Sequence, residues 1–146
     1  MKKVSKISNL FFVLLLLTPV VNCNAQNTGK SNGWYHLETS NLEASKLIVS
    51  VKDFADIKLD SGNIYNKIHY IIAGRLKDEK HELFAKETEK AIGKQIGFLL
   101  NSEILCAPRV NMRIEKGRFQ ISLPTMYDRK KAIGIYNELI NEMSDN

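Results

Sequence analysis

The residues best suited to chemistry in this sequence are a cysteine, Cys106, and three histidines, His36, His69 and His81. A cysteine thiolate attacks carbonyl carbon atoms when a base stands beside it. Nothing in the spacing singles out one of the histidines as that base, and apolar neighbours on both sides of Cys106 favour a buried structural thiol. We therefore expect no catalytic residue. The alternative from a different functional class is a small thiol enzyme built around Cys106.

The acidic residues do not form a metal-ligand pattern. His81 has acidic neighbours but no second histidine at a ligand spacing. Glu82, Glu87 and Glu89 are interleaved with lysines on one predicted helix. Such mixed charge is typical of a solvated helix face with pairs four residues apart, of which Glu82 with Lys86 is the clearest. We expect no metal and no cofactor.

Three arginines and a glutamine are the candidate binding residues. Strand alternation would place Arg113 and Arg118 on the solvent face of a sheet near Gln120, with Arg109 just before them. An arginine-rich face could hold an acidic or extended peptide, whereas the simpler interpretation is solubilising charge. An edge strand interrupted by Pro108 could also accept an added strand, although proline on an edge more often prevents this.

The start of the chain has the pattern of an export signal. A lysine-containing segment precedes an apolar run over residues 10–21, which is too short for a membrane-spanning helix. We predict a signal peptide over residues 1–25, with cleavage after Ala25. Lipidation of Cys23 is the alternative, and it would make the product an outer-envelope lipoprotein instead of a periplasmic or secreted protein.

Removal of this segment changes the charge and cysteine content. The chain has 21 basic and 16 acidic residues, for a net charge of +5. The first 25 residues contain three lysines and no acid, which leaves 18 basic and 16 acidic residues, or +2. We therefore expect no nucleic-acid partner. Cys106 is then the remaining cysteine, so no intramolecular disulfide is expected.

The elements that must position these residues follow from hydrophobic periodicity and turn residues. Residues 26–33 are polar and predict a flexible leader, and residues 34–146 predict one domain. Strands are predicted over residues 34–37, 47–51, 57–59, 67–73, 95–100, 104–107, 110–114 and 118–123. Turns are predicted at residues 60–63, at residues 101–102 and at Gly117.

Two main helices are also predicted. The first is expected to be capped by Asp78 and to end at Gly93. Its buried stripe comprises Leu83, Phe84, Thr88, Ala91 and Ile92. The second is expected to be capped by Asp128. The fold class is α+β, an antiparallel sheet of four to six short strands with both main helices on one face.

An ordered set of motifs along this domain points to a known family. The motif residues are Gly93, Lys94, Ala107, Pro108, Ile114 and Gly117. Their order and spacing resemble the head subdomain of the first periplasmic domain of the SecD/SecDF protein-export translocase, over about residues 67–143. The chain departs from that pattern at residues 101–102, where the family usually has an acidic residue and glycine, and at Cys106, where it usually has serine.

The resemblance implies a binding function without catalysis. The head of the translocase is thought to contact emerging polypeptide, so a protein or polypeptide partner in the cell envelope is expected. Contact with a membrane is expected only through a lipid on Cys23 or through a translocase partner. The alternative binding function is an envelope interaction protein unrelated to export.

Overall fold

A computed structural model describes residues 29–145 of the chain. The predicted signal peptide, with Cys23 and Ala25, lies outside this range. The strands are β1 (Gly33–Leu37), β2 (Ala44–Ser50), β3 (Phe54–Ile64), β4 (Lys67–Leu76), β5 (Ile96–Leu100), β6 (Glu103–Cys106) and β7 (Arg118–Ser122). The helices are α1 (His81–Lys90) and α2 (Arg129–Ser144). Neither helix in the described part has the length and apolar content needed to cross a bilayer.

The strands form two antiparallel sheets. One has four strands in the order β2-β1-β5-β6, and the other has three in the order β3-β4-β7. The α+β class is confirmed, but the seven strands divide between two sheets instead of sharing one. A 3₁₀ turn at Val51–Asp53 separates β2 from β3, so the chain leaves the first sheet there. Alternation of apolar residues predicts strands, but it carries no information about which strands pair.

An aromatic cluster joins the two sheets. Trp34 and Phe98 of the four-stranded sheet meet edge to face, with ring centroids 5.4 Å apart. Phe54 and Phe119 of the other sheet are 4.3 Å apart. Trp34 also contacts Phe119 across the sheets at 6.1 Å. Phe84 of α1 belongs to the same core, as does the buried face of α2, so both helices share one core with both sheets.

The sequence predicts the N-terminal cap of α2 correctly and that of α1 incorrectly. The Asp128 carboxylate accepts a hydrogen bond from the Lys131 amide at 2.8 Å, which confirms the expected cap of α2. The expected cap of α1 by Asp78 is wrong, because Asp78 begins a 3₁₀ turn and its carboxylate pairs with Arg75 at 3.2 Å. In the predicted stripe of α1, Leu83 and Ile92 are 40% and 48% exposed.

The long β3–β4 hairpin corrects one predicted turn. The residues expected to turn, 60–63, continue β3 and pair with β4, with Asp60 opposite Ile71 and Asn63 opposite Ile68. The chain turns instead at Tyr65 and Asn66, whose φ angles are 49° and 62°. The polar residues that favour a turn locally are outweighed by the hydrogen-bonded ladder of the whole hairpin.

The strand predicted over residues 110–114 is also wrong. Val110 forms an isolated bridge with Ile92, and Arg109 forms one with Gln95. Further along, the Ile114 amide donates to the Thr88 hydroxyl oxygen of α1 at 3.1 Å. This segment therefore lies against α1. The helix supplies a hydrogen-bond acceptor for the main chain, where a neighbouring strand would otherwise supply one.

The beginning of the described chain is held against the domain. The Tyr35 hydroxyl donates to the Ser31 carbonyl at 2.7 Å. Asn32 donates to Glu142 of α2 and accepts from the Asn101 amide, each at 2.7 Å. Residues 29–32 were expected to belong to a flexible leader, and these contacts tie them to both sheet and helix.

Candidate functional site

A cleft of about 770 Å³ opens beside the first half of β7. Arg118, Phe119 and Gln120 of β7 line it, together with Pro108 and Ile114 from the segment between β6 and β7. The cleft therefore lies where β7 and the chain that follows β6 separate. Its size is within the usual range for ligand-binding cavities.

The floor of the cleft is apolar. Trp34 of β1, Phe84 of α1 and Ile96 of β5 line it, and each belongs to the buried core. The indole N–H of Trp34 is buried and has no hydrogen-bond partner within residues 29–145. A buried donor without an acceptor costs about 1–3 kcal/mol. The folded domain thus carries an unsatisfied polar group in a residue that lines the cleft.

One glycine shapes the wall formed by β7. A Cβ atom on Gly74 of β4 would lie 2.4 Å from the tip of the Phe119 ring and 2.9 Å from Ile57. The ring occupies this space because Gly74 has no side chain. Gly74 therefore allows Phe119 to lie across the sheet and to contact Trp34 at the same time.

The rim of the cleft carries charged side chains. Arg75 and Arg118 lie directly opposite each other on β4 and β7. Arg75 is paired with Asp56 and with Asp78, each at 3.2 Å. Within the described chain, Arg118 takes part in no ion pair. Within the described chain the rim therefore presents two cations without an ion-pair partner, Arg118 and Lys58, and one carboxylate, that of Asp56, which is paired with Arg75.

The structure separates the candidate binding residues. Arg118 and Gln120 are together at the cleft. Arg113 is not on a sheet face, as was expected, but lies on α1 with its guanidinium 3.3 Å from Glu82. Arg109 lies beside Gln95, away from the other arginines, and lines a different pocket.

The motif residues build the frame around the cleft. Gly93 has a φ of 82°, and its amide donates to the Val110 carbonyl at 2.8 Å. The Lys94 carbonyl accepts from the Val110 amide at 2.9 Å, and the Ala107 carbonyl accepts from the Gln95 side chain at 2.7 Å. These bonds anchor the segment that carries Pro108 and Ile114 to the end of α1.

Gly117, the last motif residue, turns the chain into β7. Its φ is 60°, and a Cβ atom there would lie 2.5 Å from the His81 ring. The His81 ring is placed by a contact of 2.9 Å between its Nε2 atom and the Leu76 carbonyl. His81 is therefore packed between β4 and this turn.

A comparison with known protein families identifies the family of this chain. A family model of the SecDF P1 head subdomain matches residues 26–131. The chain belongs to this family. The predicted resemblance is confirmed, and the match begins earlier than the expected residue 67, so that it includes β1, β2 and β3.

One solved structure agrees with the SecDF assignment at the level of fold. The chain is similar to the structure of SecDF, described as a membrane component that enhances protein export, with a TM-score of 0.57 and 18% identity. That match covers 67% of this chain and 44% of the other. A crystal structure of SecDF in a super-membrane-facing form matches with a TM-score of 0.48 and 18% identity, over 56% of this chain and 11% of that one.

The SecDF structures are larger than the part they share with this chain. The chain spans less than half the length of the first of them. Comparison with curated proteins finds no match.

The cysteine of this SecDF head domain is in a structural position. Burial raises the pKa of Cys106 to about 11, although the main chain of Ser122 and of Phe98 hydrogen-bonds to the thiol and lowers it. Cys106 thus contacts both β5 and β7 through its thiol. Within residues 29–145, no histidine is hydrogen-bonded to it.

Sequence reasoning missed a buried ionic cluster around Glu87. This residue is 5% exposed, so its placement on a solvated face is wrong. Its carboxylate lies 2.8 Å from Lys90, 2.7 Å from His36 of β1 and 3.3 Å from Lys46 of β2. The hydrogen bonds from Lys90 and then from His36 lower the pKa of Glu87 to about 2.

Helical spacing contained a signal for this burial. Glu87 is three residues after Phe84 and four before Ala91, and both of these are fully buried. Residues at these spacings lie on the same face of a helix.

Within the described chain, no cluster of three or more histidine, cysteine or acidic side chains could hold a metal ion.

Proposed function

We propose that this chain is an exported, non-catalytic binding protein that holds extended polypeptide during protein export. The observation that carries the proposal is the apolar cleft beside β7, whose rim is cationic at Arg118. Membership of the SecDF head family supports it, because a related SecDF is described as a membrane component that enhances protein export. An apolar floor with a polar rim suits side chains that unfolded polypeptide exposes.

The location belongs to the same proposal. A signal peptide over residues 1–25 would deliver the domain to the periplasm or outside the cell, and lipidation at Cys23 would tether it to a membrane. The partners are then unfolded exported chains or the translocase that delivers them. No cofactor is part of the proposal.

The chemistry at Cys106 supports a function without catalysis. A pKa raised to about 11 by burial leaves the thiol protonated near neutral pH, whereas nucleophilic cysteines have a lowered pKa. We expect Cys106→Ser to retain polypeptide binding, as the usual serine of the family implies. A thiol enzyme would instead lose its activity in this variant.

One surface feature favours a second function, binding to a folded envelope protein. The tip of the β3–β4 hairpin exposes Ile64, Tyr65 and Ile68, and the Tyr65 side chain is 96% exposed. Exposed apolar residues grouped on one protruding element are typical of an interaction site. This second function uses the hairpin and leaves the cleft unoccupied.

Site-specific crosslinking in cells distinguishes the two functions. The photoreactive residue p-benzoylphenylalanine would replace Gln120 at the cleft or, as the control, Tyr65 at the hairpin. Polypeptide binding predicts that position 120 crosslinks to many unrelated exported chains or to translocase subunits, and that position 65 does not. A single dominant envelope partner captured from position 65, with nothing from position 120, would contradict the proposed function.

A binding assay with purified protein provides the second test. Trp34 is the chain's one tryptophan and lines the cleft, so its fluorescence reports on occupancy. A reduced and alkylated secreted protein, which cannot refold, should change this fluorescence in a saturable manner. The same protein in its native disulfide-bonded form should not. Equal responses to both forms would argue against recognition of unfolded polypeptide.

A further inference from the structure

The main chain at the start of β7 is available for pairing. The Leu76 amide donates to the Gly117 carbonyl at 2.9 Å, and the Leu123 amide donates to the Tyr70 carbonyl at 3.0 Å. In an antiparallel ladder, residues that hydrogen-bond to the partner strand alternate with residues that face away from it. Arg118 and Gln120 therefore direct their N–H and C=O groups away from β4.

No other strand of the described chain takes up these groups. β7 lies at the edge of its sheet, and β4 is its single partner within residues 29–145. The other end of this edge is closed, because the Cys106 thiol is hydrogen-bonded to the main chain of Ser122. The open part of the edge thus coincides with the residues that line the cleft, Arg118 and Gln120.

The segment that contains Pro108 lines the same cleft as this edge but pairs elsewhere. Pro108 lies two residues after the end of β6 and lines the cleft. Its carbonyl accepts a hydrogen bond from the Ile96 amide at 3.1 Å, so this segment pairs with the start of β5. The sequence suggested that Pro108 would protect an edge on its own strand. In the structure the chain on both sides of Pro108 continues to pair with residues 94–96, as the Gln95–Arg109 bridge shows, and within residues 29–145 it forms no ladder with β7.

The two faces beside this edge differ in chemistry. Phe119 points to the core side, toward Trp34, and the side chains of Arg118 and Gln120 are exposed on the other side. A strand added along β7 would place alternate side chains on these two faces. The residue opposite Phe119 would enter the apolar cleft, and the residue opposite Arg118 would meet a cation that has no carboxylate partner in the described chain.

We propose that an extended polypeptide segment adds to β7 as a further strand, hydrogen-bonded to the main chain of Arg118 and Gln120. The preferred segment alternates apolar and acidic residues. An apolar side chain of the segment lies in the cleft, and a neighbouring acidic side chain contacts Arg118. This inference rests on the proposed function and specifies how polypeptide is held. Main-chain pairing provides affinity for many sequences, and the cleft and Arg118 provide the preference among them.

Proline at position 120 tests the main-chain pairing. Because the Gln120 amide faces away from β4, Gln120→Pro removes the outward donor and leaves the β4–β7 ladder in place. The matched variant Gln120→Ala removes the side chain alone. The probe is a fluorescein-labelled peptide that alternates valine with glutamate. We expect about a tenfold loss of affinity for Gln120→Pro and no more than about a threefold loss for Gln120→Ala.

Each outcome of this comparison has a distinct meaning. Equal affinities of Gln120→Pro and Gln120→Ala, with binding retained by the unaltered chain, would overturn strand addition and leave the proposed function standing. If neither the peptide nor the reduced and alkylated protein binds the unaltered chain, the proposed function fails as well. If circular dichroism shows that Gln120→Pro is unfolded, the peptide is N-methylated at alternate amides instead, and unchanged affinity would overturn the proposal.

Arg118→Ala tests the preference for an acidic side chain. We expect it to weaken binding of the valine–glutamate peptide about tenfold at low salt, and to weaken a valine–serine peptide much less. The difference between the two peptides should shrink as salt is raised. Equal losses for both peptides would show that Arg118 does not recognise an acidic residue.

Discussion

Glu87 shows how much a single residue depends on its surroundings. It is the one carboxylate buried between α1 and the four-stranded sheet in the described chain, and three side chains from three elements contact it: Lys90, His36 and Lys46. A buried carboxylate is tolerated only when it is paired and hydrogen-bonded. The cluster therefore fixes the position of α1, and with it the position of Phe84 at the floor of the cleft.

Glu87→Gln should destabilise the protein in a pH-dependent manner. The pKa of Glu87 is about 2 in the folded protein against an ordinary value of 4.5, so its stabilisation is complete above about pH 4.5 and is lost as the pH falls toward 2. We expect a loss of about 2 kcal/mol at pH 7, because a neutral amide replaces the charge-assisted hydrogen bonds of the buried carboxylate. Urea unfolding of Glu87→Gln and of the unaltered protein, at pH 7 and at pH 3, measures the difference between their free energies of unfolding.

The control for Glu87→Gln is Glu89→Gln on the same helix. The Glu89 carboxylate is exposed and pairs with Arg113 at 3.1 Å, so its loss should cost less than about 1 kcal/mol. The stability difference between Glu87→Gln and the unaltered protein should be smaller at pH 3 than at pH 7. A difference that stays constant over this range would show that the ionised carboxylate is not what stabilises the cluster.

At the scale of elements, the hairpin turns decide where strands begin and end. Asn101 and Ser102 join β5 to β6 with φ angles of 50° and 69°. Both central residues of this turn are in the left-handed region, the conformation of a type I′ turn. The turn was predicted correctly because its residue types and its position between two apolar strands both indicated it. The turn at Tyr65 and Asn66 was missed because tyrosine does not favour that conformation.

Ser102→Gly should stabilise the β5–β6 hairpin. Glycine adopts a positive φ without steric cost, and the Asn-Gly pair is the preferred type I′ sequence. We expect a gain of about 0.5–1 kcal/mol in the free energy of unfolding, measured by urea denaturation. The matched control is Ser61→Gly in β3, where the backbone is extended and glycine should cost a similar amount. A loss of stability from Ser102→Gly would show that the serine side chain supports the turn.

At the scale of the whole molecule, two sheets depend on one core. Phe54 of the three-stranded sheet has its ring centroid 4.3 Å from that of Phe119 and 6.2 Å from that of Phe98 in the other sheet. Neither sheet can bury its apolar face alone, since sheets of three or four short strands need a second layer. The cleft lies beside this shared core, because the core residues Trp34, Phe84 and Phe119 line it together with Pro108.

Phe54→Ala should weaken both sheets together. Removing a buried phenylalanine creates a cavity that costs about 3–5 kcal/mol, and the loss should appear in both sheets because Phe54 contacts each of them. Far-ultraviolet circular dichroism follows all elements, and Trp34 fluorescence follows β1. We expect the two unfolding transitions to shift together and to remain coincident.

The surface variant Tyr65→Ala provides the control for Phe54→Ala. Tyr65 is almost fully exposed at the hairpin tip, so its removal should change stability by less than about 0.5 kcal/mol. Separate transitions for the two probes in Phe54→Ala would mean that the sheets unfold as independent units.

Local signals in the sequence were sufficient to predict much of the fold. Gly93, Gly117 and the Asp128 cap were all predicted at the residues where the structure has them. Each is decided by backbone conformation or by a hydrogen bond within one turn, so neighbouring residues carry the information. The ordered motifs between Gly93 and Gly117 were likewise enough to indicate the SecDF head family before any contact was known.

The tertiary structure decided those features of the fold that depend on long-range strand pairing and on burial. The division into two sheets, the burial of Glu87 and the packing of residues 110–114 against α1 depend on contacts between distant parts of the chain. The same is true of the open β7 edge, because an unpaired strand has the same alternation as a paired one. Periodicity reports which side of an element is apolar, and only packing determines what covers that side and which edges stay free.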